Sequence, residues 1–229
     1  MMRKYRVISF DLDGVLLDSE KFFPGSWLWR TLERTTAALG ILSDAEYLKR
    51  FVIHGFENVV TTMEEICQEF GIESVETLWR VREKNFIQEK TQAMATGEIG
   101  PFPDVEAVKR LSSHYALTIV SNSPQPIVDD FVVRFDLEDH FTHWIGRGSG
   151  LESLSYAKPS PFLIEQMTQR VGSKQIVYVG DADYDLLAAT RAGVDYIHLS
   201  RDGTDTEIKP GVQSLQTLWE LVELLVHDP

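Results

Sequence analysis

Two pairs of aspartates in this sequence follow short apolar runs, and each pair has a spacing that suits metal chemistry. Asp11 and Asp13 stand two residues apart, so their carboxylates point the same way if the chain stays extended. Asp181 and Asp185 stand four residues apart, which places them on one face of a helix that begins there. Carboxylates held this close repel one another unless a cation or a shared proton offsets their charge.

Each pair alone also has a purely structural explanation. An Asp-x-Asp-Gly sequence is typical of a turn in a surface loop, and acids at a helix N-terminus interact favourably with the helix dipole. Neither explanation accounts for two acidic pairs after two similar apolar runs. Together the four carboxylates predict a site with oxygen ligands for a hard cation, and Mg²⁺ with several retained waters fits such a site.

Two further segments offer groups that a phosphate would need. Ser121 and Asn122 follow a third apolar run and offer a hydroxyl, an amide and backbone N–H groups. Lys158 precedes Pro159 and a predicted helix. It offers a cation on a backbone segment whose prolines restrict its conformation. Ser/Asn turns and exposed lysines are common, and each segment alone is also explained as an ordinary loop.

The elements that must position these side chains form an alternating pattern. Short β-branched runs predict strands at Arg6–Phe10, Ala116–Val120, Gln175–Val179 and Asp195–Leu199. Helical periodicity predicts helices at Asp104–Ser113, Pro161–Val171 and Tyr184–Ala192. This alternation predicts an α/β fold with a mainly parallel sheet, in which ligands bind at the carboxyl ends of the strands. The polar clusters described above all follow predicted strands or precede predicted helices at that edge.

Residues 18–96 differ from the rest of the chain, because they contain helical patterns and no convincing strand. The helices are predicted at Trp27–Leu39, Asp44–Phe51, Asn58–Phe70 and Val75–Met94. We therefore predict a helical cap domain at 18–96, inserted into a core domain formed by 1–17 and 97–229. The segment 97–103 is rich in Gly and Pro and is predicted to be the returning hinge.

Composition narrows the partners and the compartment. The 229 residues carry 22 Lys and Arg against 35 Asp and Glu, a net charge of −13. This acidic surplus disfavours nucleic acid or an anionic membrane as a partner. The single cysteine, Cys67, is predicted to lie in a helix core and excludes an internal disulfide. With no signal peptide and no apolar stretch near the roughly 20 residues of a membrane span, we expect a cytoplasmic protein.

The motifs, taken in order, resemble those of the haloacid dehalogenase-like phosphohydrolases. They are Asp11-x-Asp13-Gly14-Val15, Ser121-Asn122, Lys158-Pro159 and Gly180-Asp181-x-x-x-Asp185. The helical insertion resembles the small cap of the subfamily that includes phosphoglycolate phosphatase and β-phosphoglucomutase. The resemblance covers nearly the whole chain and implies a Rossmann-like three-layer core with five or six strands.

The resemblance also implies an activity and a mechanism. The activity is that of a Mg²⁺-dependent phosphatase acting on a small phosphorylated metabolite. Asp11 would be the nucleophile that forms an aspartyl-phosphate, and Asp13 the general acid and base. The metal would be held by Asp11, by Asp181 and by the backbone carbonyl of Asp13. Asp185 would contact these ligands or reach the metal through a water. The groups that would receive the phosphoryl oxygens are Ser121, Asn122 and Lys158.

Two alternatives stay open at this point, a sugar-phosphate phosphomutase with the same aspartyl-phosphate step and a non-catalytic binding protein. Many sugar-phosphate relatives have a His at the position that Phe23 occupies, which weakens the mutase interpretation. The intact carboxylates and Lys158 count against a pure binder. Asp13 argues against a dehalogenase, because the dehalogenases of the family have no second Asp there.

The predicted cap contributes candidate contacts to the substrate, namely Glu20, His54 and Gly55. The segment Ile53–Glu57 resembles the loop with which related caps reach over the active site. An incidental turn between helices explains His54 equally well, and an exposed acid in the cap linker explains Glu20. The sequence leaves both a monomer and a homodimer open.

Overall fold

The computed structural model describes residues 4–19, 22–41, 59–203 and 211–226. In these residues the strands are β1 Val7–Phe10, β2 Leu17–Asp18, β3 Gly100–Pro101, β4 Ala116–Pro124, β5 His143–Arg147, β6 Ile176–Gly180, β7 Asp195–Leu199 and β8 Gln213–Leu215. The α-helices are α1 Trp27–Ala38, α2 Val59–Phe70, α3 Val75–Thr96, α4 Ala107–Ser112, α5 Gln125–Arg134, α6 Phe162–Val171, α7 Asp183–Ala192 and α8 Leu218–Leu225. Two 3₁₀ segments lie at Pro103–Glu106 and Leu151–Tyr156.

Six strands form one parallel sheet in the order β5-β4-β1-β6-β7-β8. Phe10, the last residue of β1, pairs with Ile119 of β4 on one side and Val179 of β6 on the other. The carboxyl ends of these three strands therefore meet at one edge. This sheet with its flanking helices confirms the predicted α/β, Rossmann-like fold.

Both faces of the sheet are covered, as a parallel sheet requires. Val120 and Tyr178 pack on one face against α6 and α7. Residues of the opposite parity, such as Ile119 and Val177, are also completely buried. Three layers result, with the central strands enclosed on both sides, and even the polar Ser9 and Thr118 within these strands are buried.

Some elements depart from the expectations. The helix predicted at Asp104–Ser113 is divided into a 3₁₀ turn, which begins with Pro103, and the shorter helix α4. The sequence pattern did not predict β5 or α5. The β5 sequence, HWIGR, has only two consecutive apolar residues before its glycine, and α5 has a proline in its first turn. In the chain α5 connects β4 to β5, and β5 forms the edge of the sheet beside β4.

Contacts divide the chain into two compact units. The first comprises Met1–Ser19, Gly100–Arg147 and Tyr156–Pro229, and it contains the parallel sheet. The second comprises Glu20–Ile99 and Gly148–Ser155. The role of the second unit as a cap stays a prediction.

The second unit is helical and has its own apolar core. Leu32 of α1, Met63 of α2 and Leu78 of α3 are buried together in it, and so is Cys67, as predicted. Sequence reasoning placed the segment Gly148–Ser155 in the core domain. Its contacts belong to the helical unit instead, since Leu154 packs in that apolar core.

Candidate active site

Asp11 occupies the centre of the candidate site, one residue beyond β1. Its backbone N–H donates to Val179 O of β6 at 2.9 Å, which continues the sheet pairing past the end of the strand. Its Oδ1 accepts a hydrogen bond from Leu12 N at 2.7 Å. The residue is 2% exposed, so both its backbone and its carboxylate are fixed in the protein interior.

The ammonium of Lys158 lies between two carboxylates. Lys158 Nζ is 2.8 Å from Asp11 Oδ1 and 2.6 Å from Asp185 Oδ1. The lysine and Asp185 are completely buried. Buried charges are tolerated when they are paired in this way, so the three side chains act as one electrostatic unit.

Tyr178, on the central strand β6, supports this unit. Its hydroxyl accepts a hydrogen bond from Lys158 Nζ at 2.7 Å and donates one to Val120 O at 2.7 Å. Lys158 Nζ also donates to Val120 O at 3.3 Å. Sequence reasoning missed Tyr178, although a buried strand with one phenolic hydroxyl among aliphatic residues was a usable signal.

Asp181 and Asp185 stand at the junction of β6 and α7. Asp185 Oδ2 accepts hydrogen bonds from the backbone N–H groups of Asp181 and Ala182, both at 3.3 Å, and so closes the first turn of α7. A Cβ on Gly14 would lie 1.8 Å from Asp181 Oδ2. Gly14 has a φ of 75°, and its missing side chain lets the first motif and Asp181 approach closely.

The carboxylates of the two motifs meet, as their positions at the sheet edge predict. One ligand oxygen each from Asp11, Asp181 and Asp185 lie within 4.8 Å of one another. A set of hard, anionic oxygen donors fits a divalent cation such as Mg²⁺ and does not fit a soft metal. The donor set is therefore compatible with the predicted metal.

Asp13 lies in a separate hydrogen-bonded arrangement. Its Oδ1 accepts from Ser19 Oγ at 2.5 Å, and its Oδ2 accepts from Ser123 Oγ at 2.6 Å. Two hydroxyls on opposite oxygens fix the plane of the carboxylate. Ser123 is a further residue that sequence reasoning missed, and the signal for it was its position beside the predicted pair Ser121 and Asn122.

The groups predicted to bind phosphate have distinct surroundings. Ser121 is completely buried, and its Oγ accepts from Ser123 N at 3.0 Å. The side-chain amide of Asn122 pairs with the backbone of Lys158, accepting from Lys158 N at 2.7 Å and donating to Lys158 O at 3.0 Å. Asn122 thus ties the end of β4 to the loop that carries the lysine. The candidate cap contacts Glu20, His54 and Gly55 lie outside the described residues.

The buried charges shift each other's protonation. Burial raises the pKa of Asp11 to about 7, against the opposing attraction of Lys158, and the neighbouring Asp185 raises it further. Burial alone would lower the pKa of Lys158, but Asp11 and Asp185 outweigh it and raise that pKa. The lysine is therefore an ammonium at neutral pH, while Asp11 exchanges a proton near neutrality.

Residues 8–199 match the sequence profile of the haloacid dehalogenase-like hydrolases. The match extends over most of the chain, and the protein belongs to this family. No helix in the ranges that the structure describes is long and apolar enough to cross a membrane.

Known proteins similar to this chain include two phosphatases. It is 24% identical over 203 residues to phosphoglycolate phosphatase of Photorhabdus laumondii, covering 87% of this chain and 82% of that protein. It is 22% identical over 199 residues to fructose-1-phosphate phosphatase of Escherichia coli, covering 86% of this chain and 97% of that protein. The predicted family, subfamily resemblance and enzyme class are confirmed: the protein is a hydrolase of the haloacid dehalogenase type, a phosphoric monoester phosphatase.

A solved structure shares the fold over the same extent. A haloacid dehalogenase-like hydrolase of Streptococcus pneumoniae superposes with a TM-score of 0.67 at 21% identity, covering 96% of this chain and 98% of that chain. At this level of identity the likeness concerns the fold alone.

Proposed function

We propose that the protein is a Mg²⁺-dependent phosphatase that hydrolyses a small phosphomonoester through an aspartyl-phosphate on Asp11. The observation that carries this proposal is the buried contact of Asp11 with Lys158 at the carboxyl edge of the sheet, 2.8 Å between Nζ and Oδ1. A nucleophilic carboxylate needs a fixed position and a nearby cation for the incoming phosphoryl group, and this pair provides both.

Asp11, Asp181 and the backbone carbonyl of Asp13 would hold the metal, with Asp185 behind them. When bound, Mg²⁺ would neutralise negative charge on the phosphoryl group. Asp185 contacts Lys158 Nζ and the backbone of Asp181, so it orients both the lysine ammonium and Asp181, a proposed metal ligand. Ser121 and Asn122, at the end of β4, would position the phosphoryl oxygens through their hydroxyl and backbone N–H groups.

The reaction proceeds in two displacements. An oxygen of Asp11 forms a bond to phosphorus while the bond to the leaving oxygen breaks, and Asp13 donates a proton to that oxygen. Water then attacks phosphorus, Asp13 accepts its proton, and the Asp11–phosphorus bond breaks to release inorganic phosphate. The two hydroxyls that hold the Asp13 carboxylate support this role, because a group that moves protons in both steps needs a fixed orientation.

The relatives suggest small phosphorylated metabolites, such as phosphoglycolate and fructose 1-phosphate, as the substrate class. We propose that the enzyme acts in the cytoplasm, where such metabolites occur, and its one cysteine requires no oxidising compartment.

A metabolite screen tests the proposal. Wild-type protein with Mg²⁺ is incubated with phosphoglycolate, sugar phosphates, nucleoside monophosphates and 4-nitrophenyl phosphate, and inorganic phosphate is measured. We expect release from at least one small phosphomonoester, lost on chelation and reduced at least about 1,000-fold by Asp11→Asn. Activity of Asp11→Asn equal to wild type, or no release from any compound, would overturn the proposal. Isomer interconversion seen by ³¹P NMR would identify a phosphomutase instead.

A further inference from the structure

The chain from Leu12 to Leu17, the first residue of β2, contains Asp13 and forms a tight turn with its own hydrogen bonds. The N–H groups of Leu16 and Leu17 both donate to Leu12 O, at 2.9 and 2.8 Å, and Gly14 N donates to Leu17 O at 3.0 Å. These bonds use the carbonyls of the first and last residues of the turn. The carbonyls of Val15 and Leu16 point to other parts of the molecule.

Two distant segments hold these outer carbonyls. Phe102 N, directly after β3, donates to Leu16 O at 3.0 Å. The guanidinium of Arg201, two residues beyond β7, donates through Nη2 to Val15 O. The turn that contains Asp13 is thus held from outside by residues far away in the sequence.

Arg201 is itself fixed on several sides. Its Nη1 lies 2.5 Å from Asp104 Oδ2, and its guanidinium lies 4.1 Å from the centroid of the Phe102 ring. Asp104 Oδ2 also accepts a hydrogen bond from Leu218 N, the first residue of α8, at 2.7 Å. The Arg201 and Asp104 side chains are only 19% and 11% exposed. A planar cation held by a carboxylate and an aromatic face has little freedom to reorient.

We propose that Arg201 is a positioning residue for Asp13, the proton-transfer group of the proposed function on which this inference rests. Through Val15 O it holds the turn that contains Asp13. The carboxylate of Asp13 must reach both Ser19 and Ser123. If the turn shifts, Asp13 loses its alignment with the leaving oxygen and the attacking water. Arg201 acts through the backbone and does not contact the reacting atoms.

The leaving group separates this role from a loss of folding. 4-Nitrophenolate departs with the bonding electron pair and needs no proton, so for this substrate formation of the aspartyl-phosphate does not need the Asp13 carboxyl as a proton donor. Hydrolysis of the aspartyl-phosphate does depend on it, because the attacking water must lose a proton. A misplaced Asp13 therefore slows the second step selectively.

The experiment is rapid-mixing kinetics on full-length Arg201→Met with 4-nitrophenyl phosphate and Mg²⁺. We expect a burst of about one nitrophenolate per folded enzyme at the wild-type rate, followed by a steady state about 10- to 100-fold slower than wild type. With an alkyl phosphate, the leaving oxygen needs a proton, so Arg201→Met should show no burst of the alcohol product. Its steady-state turnover should fall by at least the same factor as with 4-nitrophenyl phosphate. Arg201→Lys, which keeps a donor near Val15 O, should recover part of the steady-state rate.

Arg134→Met is the matched control, because it removes a comparable Arg–Asp pair on α5, where Arg134 Nη2 lies 2.7 Å from Asp130 Oδ1. It should show wild-type kinetics. Arg201→Met and Arg201→Lys with wild-type kinetics per folded molecule would overturn the inference, as would burst and steady-state rates that fall in parallel. Wild-type protein that hydrolyses no phosphomonoester would overturn the proposed function and, with it, this inference.

Discussion

Lys158 Nζ lies 2.8 Å from Asp11 Oδ1, and at least 97% of each side chain is hidden from solvent, since their exposed fractions are 0% and 3%. Asp185, also buried, contacts the same ammonium at 2.6 Å. One cation facing two carboxylates leaves the cluster with a negative charge when all three groups are ionised. Burial, and after it the negative charge of Asp185, raises the pKa of Asp11 despite the attraction of Lys158, and the same negative excess gives a donor set that suits a divalent cation.

Removal of the ammonium should affect both stability and turnover. Lys158→Met leaves Asp11 and Asp185 facing each other without a cation, and at pH 8 in EDTA the free energy of unfolding should fall by about 3–5 kcal/mol. Phosphate release should fall about 100- to 1,000-fold with Mg²⁺ present. Urea unfolding and a phosphate-release assay measure the two effects.

The control for this variant is Lys109→Met, whose pair with Glu106 is more than half exposed on both sides, with fractions of 53% and 59%. It should change the free energy of unfolding by less than about 1 kcal/mol. If Lys158→Met matched this control in both measurements, the buried cation would have no role in the site.

Tyr178→Phe tests the support of the lysine, since it removes one hydroxyl and keeps the ring. The hydroxyl bonds Lys158 Nζ and Val120 O, so we expect a loss of about 1–3 kcal/mol in stability. We also expect a fall of about 10-fold in kcat, because the ammonium is less firmly placed.

Tyr115→Phe provides the matched comparison, because its hydroxyl donates to Leu225 O at 2.6 Å. It should lower stability by a similar amount and leave kcat unchanged. Equal kcat values for Tyr178→Phe and wild type would show that the hydroxyl serves folding only.

Gly14→Ala should expel Asp181 from its position. The new Cβ would lie 1.8 Å from Asp181 Oδ2, and the backbone φ of 75° is unfavourable for alanine. Mg²⁺ affinity, measured by isothermal titration calorimetry, should fall at least about 10-fold.

Gly193→Ala separates backbone strain from the steric effect, because Gly193 has a φ of 69° and a Cβ added there would meet no atom within 4 Å. It should cost about 1–2 kcal/mol in stability with unchanged Mg²⁺ affinity. An equal loss of affinity in both variants would contradict the close approach of Gly14 and Asp181.

The raised pKa of Asp11 predicts a pH dependence for metal binding. In the metal-free protein the folded state holds this proton up to about pH 7, well above the ordinary value of 3.8. The stability that this group contributes is thus fully present below pH 3.8 and is lost as the pH rises through 7.

Mg²⁺ competes with the same proton, so its affinity should rise with pH and fall by up to about tenfold per unit below pH 7. The thermal shift produced by Mg²⁺ relative to EDTA should therefore grow between pH 5 and pH 8. A shift that is constant over this range would show that Asp11 does not exchange a proton on metal binding.

Sequence reasoning predicted most of the polar groups that the structure brings together at the candidate site, but few of their partners. The aspartates stood out because they follow apolar runs that predict strands, and Lys158 stood out because it precedes Pro159 and a predicted helix. Tyr178 and Arg201 did not, since their partners lie 20 and 186 residues away. No local periodicity carries information on such contacts. Ser123 stands directly after a predicted phosphate-binding pair, but Ser/Asn turns are too common to single it out.

By itself, the sequence determined most of the α/β alternation and the acids at the strand ends, and it predicted a helical insertion and a lysine before a helix, because apolar periodicity and the placement of polar residues are local properties. Only the tertiary structure decided that Asp185 contacts Lys158, that the Asn122 amide pairs with the backbone of the lysine, and that the segment Gly148–Ser155 belongs to the helical unit. Those outcomes depend on which strands become neighbours and on how deeply each charge is buried. Strand pairing and burial are properties of the whole packed chain. They bring the acids together and raise the pKa of Asp11.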